Sequence, residues 1–312
     1  MRKQSAVSCQ LSAETNIIIL CGPTAAGKSR VALEIAEKLN AEIISADSQQ
    51  VWRGLDIGTA KPTPNEQKKI PHHLIDVVGP GDKFDVSQYV TLADRAIKEI
   101  RERGRLPLVV GGTGMYLRVL LHGLCEAPPQ DKAIRQKLTE EMQEFGLPVL
   151  FERLQKIDPN TIRKIHPNDP TRIIRSLEVY EMTGYPLSHF HEKHRIEKPR
   201  YEALQIGIDC DRKILCERIS ARVDAMLKAG WLEEVRALLK IYDADSQAMQ
   251  SIGYKQLIAH LQGRYSLEEA IAEIKKQTKA YAKRQMTWFH SDKSVEWITQ
   301  ENAVAFIQTL IH

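Results

Sequence analysis

The densest chemical signal in this chain is Gly22-Pro23-Thr24-Ala25-Ala26-Gly27-Lys28-Ser29. It fits G-x-x-x-x-G-K-[ST], in which glycines at both ends let the backbone curl until successive N–H groups point inward on an anion. The apolar run Ile17-Ile18-Ile19-Leu20-Cys21 before it and the helical pattern from Val31 to Leu39 after it supply the strand and helix that the motif needs. The helix N-terminus adds its positive dipole end. The expected guest is a diphosphate or triphosphate, with Lys28 on the bridging and outer oxygens and the Ser29 hydroxyl placed for Mg²⁺. The loop alone leaves open whether those phosphates belong to a nucleotide.

Further candidates lie beyond the carboxyl ends of strands, where an open parallel sheet holds its ligands. The strand Glu42 to Ala46 ends on Asp47-Ser48-Gln49-Gln50, which puts Asp47 near the phosphates; Asp47 and Ser48 suit a helix N-cap equally well. The strand Leu106 to Val110 runs into Gly111-Gly112-Thr113-Gly114, a second glycine turn on the same side, readable also as a tight structural turn. Many phosphate-loop nucleotidases end such a strand on an acidic metal ligand, and the glycines here argue against ordinary nucleotide hydrolysis.

The elements around these residues follow from periodicity. His73 to Val78 reads as a buried strand, and Asp85 to Arg103 as a helix with Val86, Tyr89, Ala93, Ala96, Ile97 and Ile100 inward. Ala203 to Asp209 reads as a strand. It leads into a helix, Asp211 to Lys228, with Ile214, Leu215, Ile219, Val223, Met226 and Leu227 inward and Arg218 and Arg222 on the other side. An arginine there either neutralises a leaving group or is ordinary exposed surface. From Gly123 to Pro199 helical patterns dominate, with no strand candidate. The expected fold is therefore α/β: a P-loop NTPase-like parallel sheet flanked by helices, with an inserted all-helical domain. Residues 15–122 and 201–312 form the core with its C-terminal helices, 123–200 the insertion and 1–14 a flexible N-terminal extension.

Within the insertion, Arg172 and Arg175 share a helix face that can clamp nucleic-acid phosphate or simply be solvated. Lys275, Lys279 and Lys283 repeat every fourth residue, as a backbone track or as plain solubility. His189, His191 and His194 have metal-like spacing, but their charged neighbours read as solvated linker, and they are not assigned to a site. Across 312 residues, 44 Lys and Arg against 40 Asp and Glu give a net charge of +4, which permits a nucleic-acid partner without demanding one. Five scattered cysteines without C-x-x-C pairing indicate neither a disulfide frame nor a zinc site, hence a reducing cytoplasm. No apolar stretch approaches the roughly 20 residues of a membrane span.

Taken together, the Gly22–Ser29 loop, the block Asp47 to Pro62, Gly111-Gly112-Thr113-Gly114, His166-Pro167-Asn168-Asp169-Pro170 and Lys283-Arg284-Gln285 closely resemble the bacterial tRNA dimethylallyltransferases, in register from about residue 16 to 290. The resemblance implies a monomeric cytoplasmic enzyme. Its reaction moves the dimethylallyl group from dimethylallyl diphosphate to N6 of the adenine 3′ of the anticodon, in tRNAs reading codons that begin with U. It makes Asp47 the base facing N6, Thr113 a second polar contact, Thr24 and Lys28 diphosphate contacts, and Arg222 an aid to the leaving group. It assigns Asp47-Ser48-Gln49-Gln50, Thr171-Arg172-Ile173-Ile174-Arg175, Gln250-Ser251-Ile252-Gly253-Tyr254-Lys255 and Arg135 to contact with the tRNA anticodon stem-loop. Trp52, where tyrosine is commoner, and a longer N-terminal tail are small departures.

Two other classes share parts of this pattern. A phosphate-loop small-molecule kinase would need an acidic metal ligand where Gly111-Gly112 stands. An adenylate isopentenyltransferase would leave the basic faces idle.

Overall fold

The computed structural model describes residues 17–194, 199–303, 305, 306 and 309, so the expected 1–14 extension lies outside it. The described chain forms two compact units: one runs to Leu121 and resumes at Arg200, and the other is His122–Pro199.

The first unit is built on six parallel strands: β1 Ile17–Cys21, β2 Ala41–Ala46, β3 His72–His73, β4 Leu106–Gly111, β5 Ala203–Asp209 and β6 Val295–Thr299, in the order β3-β2-β4-β1-β5-β6. Central strand β1 is wholly buried and apolar because both sheet faces are covered. Ile17, Ile19 and Cys21 enter a core closed by α3 (Val86–Glu102), α4 (Gly114–His122) and α13 (Leu267–His290). Ile18 and Leu20 enter another, closed by α1 (Lys28–Leu39) and α10 (Arg212–Lys228). Helices α2 (Pro64–Lys69), α11 (Trp231–Leu238) and α12 (Tyr254–Leu261) complete the unit.

The second unit holds α5 (Lys132–Phe145), α6 (Leu147–Ile157), α7 (Pro159–Ile162), α8 (Pro170–Thr183) and α9 (Leu187–His194) around Leu138, Leu150, Leu154, Ile173 and Leu177. Among the described residues, no helix is long and apolar enough to cross a membrane.

Three local expectations need correction. The strand expected over His73 to Val78 stops at His73, because Leu74 (φ 62°) and Asp76 (φ 56°) are left-handed. The carbonyls of Asp76 and Val77 accept from the Arg53 guanidinium at 2.9 and 3.0 Å, and the Asp76 carboxylate binds Lys61. Only Val78 regains a bridge, to Trp52. On α10, Ile214 is exposed rather than inward, while Arg218 and Arg222 face a cavity beside buried Ile219 and Val223. The edge strand β6, lost in a polar C-terminal context, was not expected at all.

Candidate active site

The loop that joins β1 to α1 is held in shape before any ligand is considered. Gly22 and Gly27 have φ of 136° and 95°, and a Cβ on Gly22 would stand 3.0 Å from the Ile208 carbonyl. Lys28 folds back to donate to the carbonyls of Gly22 (2.9 Å) and Pro23 (2.7 Å). Burial pushes its pKa down from 10.5 to about 8, with Asp47 opposing that shift and Arg222 reinforcing it. Burial likewise lowers the Arg222 pKa, and Asp47 again opposes. The two cations therefore share one enclosed field, and Asp47 is the carboxylate nearest to balancing it.

These groups meet in a cavity of about 470 Å³. From the sequence-derived set it gathers Thr24, Ala25, Gly27, Lys28, Ser29, Asp47, Ser48, Gln49, Gln50, Arg222 and Ile252. Gly22, Pro23 and Ala26 are buried within the loop. Thr113 stands just behind the wall, its hydroxyl accepting from Ser48 N–H at 3.0 Å. The Asp47 carboxylate accepts from Gln49 N–H at 2.8 Å, which fixes the first turn after β2. Gly111 is forced by close packing, since a Cβ there would lie 2.1 Å from the Ala46 carbonyl oxygen.

The remaining expected residues are placed elsewhere. Gln250 and Lys255 border a separate cavity of about 530 Å³. Ser251 reaches Gln49 and the Ala248 carbonyl. Tyr254 is fully buried, and Gly253 (φ 97°) leaves room for Trp231, which a Cβ would approach to 2.2 Å. In the helical unit, Thr171 and Arg172 are exposed, whereas Ile173 and Ile174 are taken up by the apolar core. Arg175 and Arg135 do not stand free either. They donate to the carboxylate of Glu178 at 3.0 and 3.1 Å, and that carboxylate also accepts from Asp131 N–H at 2.7 Å. Glu178 is fully buried. Glu178→Ala is expected to destabilise this unit by about 1–3 kcal/mol, because it strands a backbone donor and loosens two arginines that retain some water. A melt of the variant that matches the parent would refute this reading. Lys275 is likewise tied to Asp224 at 2.7 Å, so the expected lysine stripe reduces to Lys279 and the exposed Lys283. Among the described residues, no three His, Cys, Asp or Glu side chains are placed to hold a metal, the histidines at 189, 191 and 194 included.

Three site residues carried no assignment from sequence. Gln285, buried on α13, accepts from Thr24 N–H (2.9 Å) and donates to the Gly112 carbonyl (2.8 Å), pinning the first loop to the second glycine turn. Its signal was a polar side chain in register with the buried stripe of Ile274, Ala282 and Phe289. Tyr281 lines the cavity beside it. Burial raises its pKa to about 12; Asp47 adds to the rise, while contacts with Thr113 and Gln285 pull the other way. Glu234 accepts from the N–H groups of Asp56 (3.0 Å), Ile57 (2.7 Å) and Gly58 (3.3 Å) and from the Tyr254 hydroxyl (2.6 Å). It thereby staples the glycine-rich loop that supplies Gly58, Thr59 and Ala60 to the cavity wall. Nothing local in the sequence marks it.

The family model for IPP transferase matches residues 50–292. The chain belongs to the IPP transferase family. A second model, isopentenyl transferase, matches residues 15–77, the stretch that holds the Gly22–Ser29 loop. The tRNA dimethylallyltransferase 1 of Pelobacter propionicus is 48% identical over 93% of this chain and 94% of its own length. The tRNA isopentenylpyrophosphate transferase of Bacillus halodurans superposes with a TM-score of 0.70 at 38% identity, covering 95% of each chain. A eukaryotic dimethylallyltransferase, captured acting on tRNA, superposes with a TM-score of 0.77 at 29% identity over 92% of this transferase and 74% of the other. The parallel sheet expected from sequence is thus the scaffold of a transferase family.

Proposed function

We propose that this transferase moves the dimethylallyl group from dimethylallyl diphosphate to the exocyclic N6 of the adenine 3′ of the anticodon, in tRNAs reading codons that begin with U. The observation that carries the reading is the charge inventory of the cavity: Lys28, Arg30, Arg218 and Arg222 line it, with Asp47 as the only carboxylate there among the described residues. That set suits a polyanionic leaving group beside a single proton acceptor.

The diphosphate sits on the loop amides between Gly22 and Ser29, with Lys28 and Arg222 on its oxygens. The adenine N6 is a weak nucleophile because its lone pair is delocalised into the ring. As N6 bonds to C1 of the allyl group, the C1–O bond breaks with its electron pair left on the diphosphate, and Asp47 accepts the N6 proton. Ile219, Val223, Met226 and Trp231 line the same cavity and keep water from a carbon that becomes cation-like. Ser29 is exposed at the loop and lines the cavity, so its hydroxyl is the protein group that would hold a Mg²⁺ there. Such an ion would supply further neutralisation of the leaving group. The target base has to leave its stack to enter, which an unpaired loop makes easy. The enzyme acts as a monomer in the cytoplasm and needs no ATP.

The experiment is transfer of labelled dimethylallyl from its diphosphate, with Mg²⁺, to an anticodon stem-loop, to the same sequence in a duplex, and to AMP. The stem-loop is expected to be alkylated, with affinity falling as salt rises; the duplex and AMP are expected to react poorly. Efficient transfer to AMP with none to the stem-loop would move this chain to the adenylate isopentenyltransferases.

A further inference from the structure

Arg222 is the α10 arginine that the resemblance assigns to the leaving diphosphate, but the geometry brings a second one to the same loop. Arg218 lies one helical turn earlier on α10 and lines the same cavity. Its Nη1 donates to Gln300 Oε1 at 3.1 Å and lies 3.8 Å from Cys210 Sγ. Both acceptors are neutral, and among the described residues no carboxylate oxygen is recorded within ion-pair distance of this guanidinium.

The acceptors come from adjacent strand ends. In the parallel pairing of β5 with β6, Asp209 stands opposite Thr299, so the residues that follow, Cys210 and Gln300, leave the sheet side by side on the ligand face. Gln300 also packs on the Gly22–Ser29 loop: a Cβ on Gly27 would stand 2.3 Å from its Nε2. One amide thus touches the last glycine of the loop and holds a guanidinium that has no anionic partner among the described residues.

We propose that Arg218 is a further diphosphate-binding residue and that Gln300 is its positioning residue, holding the guanidinium at the Gly27 end of the loop for the terminal phosphate. The proposal rests on the transferase reading above. Arg222 shares its field with Asp47 and so belongs to the reacting end; Arg218 serves the outer phosphate. Arrival of the diphosphate replaces a neutral amide acceptor with an anionic one. That exchange strengthens the bond, and the planar fork of Arg allows it to be bidentate.

The test uses the full chain and dimethylallyl diphosphate with the stem-loop, and separately inorganic diphosphate as probe. Arg218→Ala is expected to raise KM for dimethylallyl diphosphate and weaken inhibition by inorganic diphosphate, each about 10- to 100-fold, while stem-loop affinity holds. Arg218→Lys should recover part of the loss. Gln300→Glu should lower diphosphate affinity comparably, because it gives Arg218 a fixed counter-ion and sets a negative charge against the ligand. A merely structural role would lower melting temperature without this split between the diphosphate and the RNA, and that result overturns the proposal. So do values within twofold of wild type in both Arg218→Ala and Gln300→Glu. If the wild type transfers nothing to the stem-loop, the transferase reading fails first. The shift of melting temperature by inorganic diphosphate in wild type against Arg218→Ala then decides this proposal alone: a smaller shift in the variant supports it, and equal shifts refute it.

Discussion

Asp47→Asn is expected to lower the rate of transfer about 10²- to 10⁴-fold, the span of a general base, while RNA affinity stays near wild type. The substitution keeps the size of the side chain and an oxygen that accepts from Gln49 N–H, so the turn after β2 holds. Among the described residues, it removes the only carboxylate that lines the cavity. It also removes the negative charge that faces Lys28 and Arg222, so diphosphate affinity should hold or rise. A fall in rate without a fall in either affinity is the signature of a missing proton acceptor. Single-turnover transfer measures it, and wild-type turnover in the variant would end the assignment.

Lys28→Ala is expected to reduce transfer at low dimethylallyl diphosphate about 10²- to 10³-fold, the scale for removing one preorganised donor from a developing oxyanion. The same residue sets a pH dependence. Its pKa in the folded protein is about 8, below the ordinary 10.5, because burial disfavours the charged form. The diphosphate needs that charged form, so affinity falls as pH rises through about 8. Stability of the ligand-free protein runs the other way. Below about 8 the lysine is charged in both states and folding bears the full desolvation penalty; the penalty is relieved as pH climbs toward 10.5. Inorganic diphosphate titrations from pH 7 to 9.5 check the first sign, and melts of the ligand-free protein over the same range check the second. An alkaline limb that survives in Lys28→Ala would assign the titration to another group.

The residues gathered around the cavity were legible because each is tied to a local rule. The loop is spelled out by glycine spacing, and Asp47 and the Gly111–Gly114 turn by their place at strand ends. What was not legible depends on partners far away in the chain. Gln285 matters through Thr24 and Gly112, and Glu234 through the amides of Asp56 to Gly58. Those amides belong to the block that carries the resemblance most strongly. Its sequence is demanding because Glu234, Lys61 and Arg53 replace a ladder with side-chain hydrogen bonds. The segment Thr171 to Arg175 shows the opposite limit. A stretch assigned as a unit to RNA contact divides into exposed Thr171 and Arg172, packed Ile173 and Ile174, and a charge-paired Arg175.

The position of β1 in the sheet has a consequence for how the chain is made. Ile17–Cys21 pairs on one side with β4, which ends at Gly111, and on the other with β5, which begins at Ala203. During synthesis the first side can close early, whereas the second waits until the whole helical unit has left the ribosome. For that interval a five-residue, uncharged, apolar strand presents an open edge, the kind of surface on which chains aggregate. A helical unit that folds first, from local contacts, shortens the flexible path between β4 and β5 and eases the closure. Nascent chains halted before Ala203 would carry that edge permanently, so premature termination in this gene yields products suited to chaperone capture and degradation rather than to partial function.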